Sequence, residues 1–246
     1  MIKILLGLVG SGKTAQVVRE IALSSHDRPV FTNIRTHGIK NVHYIKPEYI
    51  IKKTITYSKT GKESVKYDFH KEFWVKTLEK HKAINVVIDE AHNYFNPRRS
   101  MSKLNIIMAN FLSMLRRILG STDNSNGELI LITQLDRRLD VIAREMATNI
   151  TYSRCHYFKD CVRCGFRCAE NNEVPEPLLQ CPVCSHKLKK STFQIEVHSF
   201  INIQNYELWR MYKTKTFYKR HFINDIEKYF KHYNTLQYDE LFEMIE

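Results

Sequence analysis

The sequence predicts an α/β fold, a mostly parallel central sheet covered by helices on both faces, and three observations predict it. Short apolar runs alternate with segments whose apolar residues fall at helical spacing, which is the pattern of successive βαβ units. The first run, "IKILLGL", leads through glycines directly into "KTAQVVREIALSS", a helix-like segment. Late in the chain two Cys-x-x-Cys pairs interrupt the pattern, flanked by alternating segments that read as strands.

The 246 residues suit one α/β domain with an insertion, or a domain with a small satellite. A hydrophobic content of 43% and the lack of a long low-complexity tract argue for a packed core and against disorder. Apolar runs stay short of the roughly 18 residues a membrane span needs, so no transmembrane segment is expected. The N-terminus does not read as a signal peptide, because its apolar stretch runs straight into the glycine loop. An intracellular protein is expected, in which the six cysteines are read as metal ligands before disulfides. The net charge of +12 points to a polyanionic partner, nucleic acid first and anionic membrane second. A basic surface kept for solubility is the plainer alternative.

Taken in order, "IKILLGL" reads as a buried parallel strand and "PVFTNIR" as a second one ending in polar residues. The pattern is irregular from "NVHYI" onward until "TITYSKTGKESVKYDF", a hairpin around Lys59–Thr60–Gly61–Lys62. "HKEFWVKTLEKHKA" returns to helix, and "INVVIDEAHNYF" is an apolar strand ending in two carboxylates. A long amphipathic helix, "SKLNIIMANFLSMLRRIL", a polar loop, the buried strand "ELILITQ" and the helix "RRLDVIAREMATN" follow. The predicted division is 1–158 as the core, 159–190 as the cysteine insertion, and 191–246 as a returning core strand with a helical C-terminal region. In that tail Phe222, Ile226, Tyr229 and Phe230 form an apolar stripe at helical spacing. Its interleaved basic and aromatic residues would alternatively suit nucleic-acid contact.

Gly7, Gly12, Lys13 and Thr14 fit G-x-x-x-x-G-K-[ST], with Val9, Gly10 and Ser11 completing the loop. Glycines let backbone N–H groups curl around phosphate oxygens, and the following helix presents its positive end to the same anion. Lys13 would reach the β- and γ-phosphates of ATP, and the Thr14 hydroxyl would hold Mg²⁺. The second half of such a site is a buried strand ending in acid, supplied at Asp89 and Glu90. Asp89 would coordinate Mg²⁺ and Glu90 would act as general base toward water. Gln134, at the tip of "ILITQ", is placed to sense the γ-phosphate or the lytic water. Arg116, Arg117 and Arg144 are candidates for an arginine donated across a subunit boundary, with ordinary surface charge as the alternative.

In that order the glycine loop, "PVFTNI", "VVIDEAHNYF" and "ILITQ" resemble the zonular-occludens-toxin-like ATPases of the FtsK–HerA superfamily, over residues 1 to 150. The resemblance implies a RecA-like P-loop core, Mg²⁺-dependent ATP hydrolysis and a homo-oligomeric ring around double-stranded DNA, bound without regard to sequence. It also implies a sensor role for Gln134 and places Arg116 or Arg117 where a basic pair precedes the sensor strand. Toxin-like phage proteins carry a membrane-spanning segment after this core, and none is read here. The reading is therefore weighted toward packaging of a double-stranded DNA viral genome, in the host cytoplasm or associated with the virion, with a capsid vertex or membrane protein as partner. The alternatives are a phage assembly or secretion ATPase acting at a membrane, and a small-molecule kinase, which Glu90 and Gln134 disfavour.

Cys161-x-x-Cys164 and Cys181-x-x-Cys184 have sixteen residues between them, the spacing of a four-thiolate Zn²⁺ site. Gly165 and Ser185 follow the pairs as small residues where the chain must turn sharply. A segment of about 30 residues cannot bury enough core alone, so the metal is expected to act as a staple. Cys155 and Cys168 are left over as free thiols; Cys168 and His186 are weak alternative ligands.

Overall fold

The computed structural model describes residues 1–57, 61–95, 103–119, 127–134, 136–170, 180–188 and 192–234. Its central sheet has five parallel neighbours in the order β8-β1-β7-β6-β2, with β3 continuing the parallel edge. The strands are β1 (Ile2–Leu6), β2 (Val30–Thr32), β3 (Val42–Tyr44), β6 (Asn85–Ile88), β7 (Leu129–Thr133) and β8 (Asn149–Asp160). The sheet is extended past β8 by antiparallel β10 (Thr192–Phe200) and β11 (Lys219–Ile223), while β9 (Arg167–Glu170) folds back on β8.

The apolar runs of the sequence are buried on both faces because helices cover both. Leu5, Val87, Ile130 and Ile132 point to the face covered by Val17, Val18 and Ile21 of α1 (Lys13–Ser24). Ile4, Leu6, Val86, Ile88, Leu129 and Leu131 point to the other face. There they meet Trp74 of α3 (Lys71–His81), Met108 and Phe111 of α4 (Lys103–Ile118), and Tyr206 of α6 (Ile203–Tyr212).

Between β3 and α3 lie the short helix α2 (Pro47–Ile50) and the antiparallel hairpin β4 (Ile51–Tyr57) and β5 (Glu63–Phe69), which pairs with nothing else among the described residues. Residues 42–50, irregular in sequence, thus hold β3 and α2. The helix expected over 137–149 is shorter: a 3-10 turn at Asp136–Arg138 and then α5 (Val141–Glu145). Asp140 interrupts it because its carboxylate accepts the Ile142 N–H at 2.9 Å and restarts the chain as an N-cap. The C-terminal region is corrected too. It is not helical throughout: after α6 comes the strand β11, paired with β10 from Ile195↔Ile223 to Ser199↔Lys219. A 3-10 stretch at Ile226–His232 follows. Of the apolar stripe, Ile226 is buried and Tyr229 packs on the core, whereas Phe222 and Phe230 remain about half exposed.

Candidate nucleotide site and cysteine cluster

The glycine loop joins the end of β1 to the start of α1, at the edge of the sheet where the parallel strands finish. Gly12 is the residue before α1 and adopts a left-handed conformation, φ 81°. A side chain there would also collide with Ile195 of β10, whose Cγ1 lies 2.9 Å from the position of a Cβ. At Gly7 a Cβ would stand 2.6 Å from the Ser153 carbonyl oxygen of β8. Both glycines are therefore required by close approach of the neighbouring strands. Leu8 and Val9 at the loop tip are exposed, whereas Ser11 and Lys13 are buried.

The Lys13 ammonium curls back onto its own loop, donating to the Gly7 and Leu8 carbonyls, both at 2.9 Å. Burial pushes its pKa down from the usual lysine value, against the upward pull of Asp89 and Glu90. Thr14 Oγ1 donates to Asp89 Oδ2 at 2.9 Å, so the hydroxyl and the carboxylate read from separate motifs meet directly. Burial pushes the Asp89 carboxyl up from its usual value, although the Thr14 hydroxyl and Glu90 N–H oppose this. A hydroxyl beside a desolvated carboxylate is a donor set of hard oxygens that fits Mg²⁺.

Asn33, at the tip of β2, fixes that carboxylate's backbone on both sides. Its Nδ2 donates to the Asp89 carbonyl at 3.0 Å, and its Oδ1 accepts the Asp89 N–H at 2.7 Å. Replacing Asn33 by Ala leaves both groups without these partners. The Asn33→Ala chain is expected to lose about 1–3 kcal/mol of stability, checked by urea unfolding monitored by circular dichroism. A loss below about 0.5 kcal/mol would show that the bracket is dispensable.

Glu90 adopts a left-handed conformation, φ 49° and ψ 43°, which costs a non-glycine residue roughly 1–2 kcal/mol. Its N–H donates to Asp89 Oδ1 at 2.8 Å. Its Oε2 lies 3.3 Å from Nδ1 of His92, which is itself 3.3 Å from Thr133 Oγ1. Gln134 follows Thr133, the residue of β7 that pairs with Leu6 of β1. The half-buried glutamine therefore reaches the same sheet edge as Gly7, on a strand lying between the loop strand and the acidic strand.

The arginines are less well placed. Arg116 and Arg117 fall in the last turn of α4, and their side chains lie outside the described residues. Among the described residues Arg144, on α5, makes no hydrogen bond or ion pair with the loop or Asp89. Asn33, His92 and Thr133 were missed as site residues. All three stand in the motifs "PVFTNI", "VVIDEAHNYF" and "ILITQ", but only the register of β2, β6 and β7 shows what they touch.

The four cysteines converge. Cys161 and Cys184 sulfurs are 3.5 Å apart, Cys164 and Cys181 3.5 Å, and Cys164 and Cys184 3.6 Å. All four sulfurs lie within 4.8 Å of one another. These separations are too long for disulfides and close to the about 3.8 Å between ligands of a tetrahedral Zn²⁺ with 2.3 Å bonds. The two turns match: Gly165 N–H donates to the Cys161 carbonyl at 3.0 Å, and Ser185 N–H to the Cys181 carbonyl at 2.8 Å. Gly165 and Ser185 both have positive φ, 72° and 58°. Hydrogen bonding from the Cys164 backbone, above all, holds the Cys161 thiol down, to about 6. His186 is not among the converging ligands, Cys155 lies away on β8, and the Cys168 side chain lies outside the described residues.

A parallel sheet with a Gly-rich loop, a Lys-Thr helix start and a facing acidic strand has the fold of a P-loop NTPase. The family model of zonular occludens toxin (Zot) matches residues 1–197, and the chain belongs to that family. The N-terminal domain of zonular occludens toxin from Neisseria meningitidis is similar in structure, with a TM-score of 0.51 at 15% identity. That likeness covers 95% of this chain and 98% of that one. The genome packaging NTPase B204 from Sulfolobus turreted icosahedral virus 2, solved with ATP-gammaS, gives a TM-score of 0.38 at 14% identity, covering 61% and 74%. The first likeness shows the fold; the second adds nothing to it. No curated protein sequence matches this chain. No helix among the described residues is long and apolar enough to cross a membrane.

Proposed function

We propose that this chain is a Mg²⁺-dependent ATPase that moves double-stranded DNA, packaging a viral genome into a capsid as a ring of identical subunits. The observation that carries the ATPase is the 2.9 Å contact between Thr14 and Asp89 beside Lys13. On arrival of the triphosphate, Lys13 exchanges the Gly7 and Leu8 carbonyls for the β- and γ-phosphate oxygens. The helix end and the loop N–H groups hold the rest of the charge. Thr14 and Asp89 would hold Mg²⁺, which would neutralise phosphate charge. Glu90 accepts the proton of a water that Gln134 orients; the water oxygen bonds to the γ-phosphorus as the bridge to ADP breaks. An arginine from a neighbouring subunit, Arg116 or Arg117, completes the charge on the phosphoryl group.

The DNA partner is supported by the net charge of +12 and by the motif resemblance. A duplex is gripped through phosphates, because a pump must pass every sequence. The cysteine module, over 159–190 between a core of 1–158 and a C-terminal unit of 191–246, holds Zn²⁺ as a staple. The host cytoplasm and the virion are the proposed locations.

The test is ATP turnover by the purified chain with and without long duplex DNA. Stimulation that does not depend on sequence is expected. Turnover indifferent to DNA, with or without the capsid partner, would remove the motor and leave the ATPase. Membership of the Zot family favours a second reading, an assembly or secretion ATPase working at a membrane. Flotation with anionic liposomes separates the two, since firm lipid binding without DNA binding selects the second.

A further inference from the structure

The two ends of a triphosphate in the glycine loop would meet different surroundings, and strand order decides which. Asp89, Glu90 and Gln134 follow β6 and β7, on one side of β1. A γ-phosphate drawn to that side leaves the sugar and base to emerge on the other, over β8 and β10. There β8 and β10 continue past the loop as an antiparallel arm. Ser153, Cys155 and Tyr157 of β8 stand opposite Val197, Ile195 and Phe193 of β10 and share the face turned to α1. Ile195 is the residue that packs on Gly12. Phe193 lies two residues further along the arm, roughly 7 Å beyond.

Aromatic rings gather at that level. Tyr157 and Phe193 have centroids 6.0 Å apart. Phe230, from the C-terminal 3-10 stretch, stacks on Phe193 at 5.3 Å and 17°, and Tyr233 meets Phe230 edge-on at 6.3 Å. The stretch that carries Phe230 is tied down at its end. The His37 N–H donates to the His232 carbonyl at 2.7 Å, His232 Nδ1 lies 2.9 Å from the His37 carbonyl, and Thr36 bridges to Tyr233. Packing leaves two of these rings open, Tyr157 44% exposed and Phe230 43%, with Phe193 half-buried between them. The result is a held, half-open aromatic shelf beside the last glycine of the loop, on the side where a base would leave it.

We propose that Tyr157, Phe193 and Phe230 seat the nucleobase of the bound nucleoside triphosphate. This rests on the nucleotide reading of the glycine loop and adds to it the residues that select a nucleoside over bare polyphosphate. Stacking on flat apolar rings favours a purine over a pyrimidine, because the larger base covers more of the shelf.

The test compares Mg²⁺-ATP with Mg²⁺-tripolyphosphate, which has the phosphates without the base, by titration calorimetry on the full chain. Tyr157→Ala and Phe230→Ala are each expected to weaken ATP binding about tenfold. Tripolyphosphate binding should be unchanged, and Tyr157→Phe should keep the affinity of the unaltered chain for ATP. Equal weakening of both ligands overturns the proposal, because it shows a general disturbance of the loop. Unchanged ATP binding in both alanine variants overturns it also, by placing the base elsewhere. Failure of the underlying reading is distinguishable, since the unaltered chain would then bind neither ligand.

Discussion

Glu90→Gln is expected to lower ATP turnover by about 10²–10⁴-fold while ATP still binds. The substitution keeps the size of the side chain and removes its capacity to accept a proton. The proposed phosphate-holding groups are not hydrogen-bonded to the Glu90 side chain: Lys13 donates to the Gly7 and Leu8 carbonyls, and Asp89 is held by Asn33 and Thr14. The left-handed backbone at Glu90 is also kept, because its N–H bonds to the carboxylate of Asp89, not to its own side chain. Binding is therefore separated from chemistry. The measurement is steady-state turnover beside calorimetric ATP affinity on the same preparation. Turnover within about threefold of the unaltered chain would remove Glu90 as general base. Joint loss of turnover and affinity would show that the glutamate shapes the loop. Asp89→Asn makes a useful contrast, since it alters the carboxylate that Thr14 contacts and should weaken Mg²⁺-ATP binding itself.

His92 flanks Glu90. It lies between Glu90 and Thr133, joining the acidic strand to the strand that bears Gln134. A group placed so can hold the glutamate's orientation without touching the phosphate. Asp136 anchors the chain just beyond Gln134 in a comparable way. It is buried, and its Oδ1 accepts from Arg210 of α6 at 3.1 Å. The edge of the candidate site is thus braced by the turn that carries His92 and by α6.

What was legible in the sequence is what local chemistry dictates. The glycine loop, the acidic strand end and the cysteine pairs each need several residues at fixed short spacing, so a few adjacent letters disclose them. The parallel strands β1, β6 and β7 were legible because burial on both faces leaves apolar runs that few other contexts tolerate. The Gly12–Ile195 and Gly7–Ser153 contacts were not, because each partner lies more than a hundred residues away in sequence. The strand β11 was hidden for a related reason. "KRHFI" has basic and aromatic residues that suit a helix face equally well, and it becomes a strand by pairing with β10. Asn33 was half legible: the motif marked it, but its role depends on β2 lying beside β6.

Removing metal from the cysteine cluster is expected to unfold the module locally and leave the sheet standing. The module has little else to hold it. Besides the cysteines, its apolar cluster contains Leu188 with Phe166 packed against it, and it is separate from the clusters on either face of the sheet. Structural Zn²⁺ sites contribute apparent binding energies of about 10–16 kcal/mol, far above what so few apolar contacts supply. The purified chain should carry one Zn²⁺ per subunit by elemental analysis. Chelation, or Cys181→Ser, should then open Arg163 and Lys187 to trypsin. Both are exposed, Arg163 within the first turn and Lys187 just after the second, so the rigidity of those hydrogen-bonded turns is what resists cleavage there. ATP affinity should hold within about threefold, because β8 and β10 keep their pairing from Thr151 to Tyr157 against Ser199 to Phe193. A chain that contains no zinc, and whose tryptic pattern a chelator leaves unchanged, would show that hydrogen-bonded turns suffice without metal. Loss of ATP binding together with the metal would instead make the arm a mechanical support of the glycine loop, through Ile195 on Gly12.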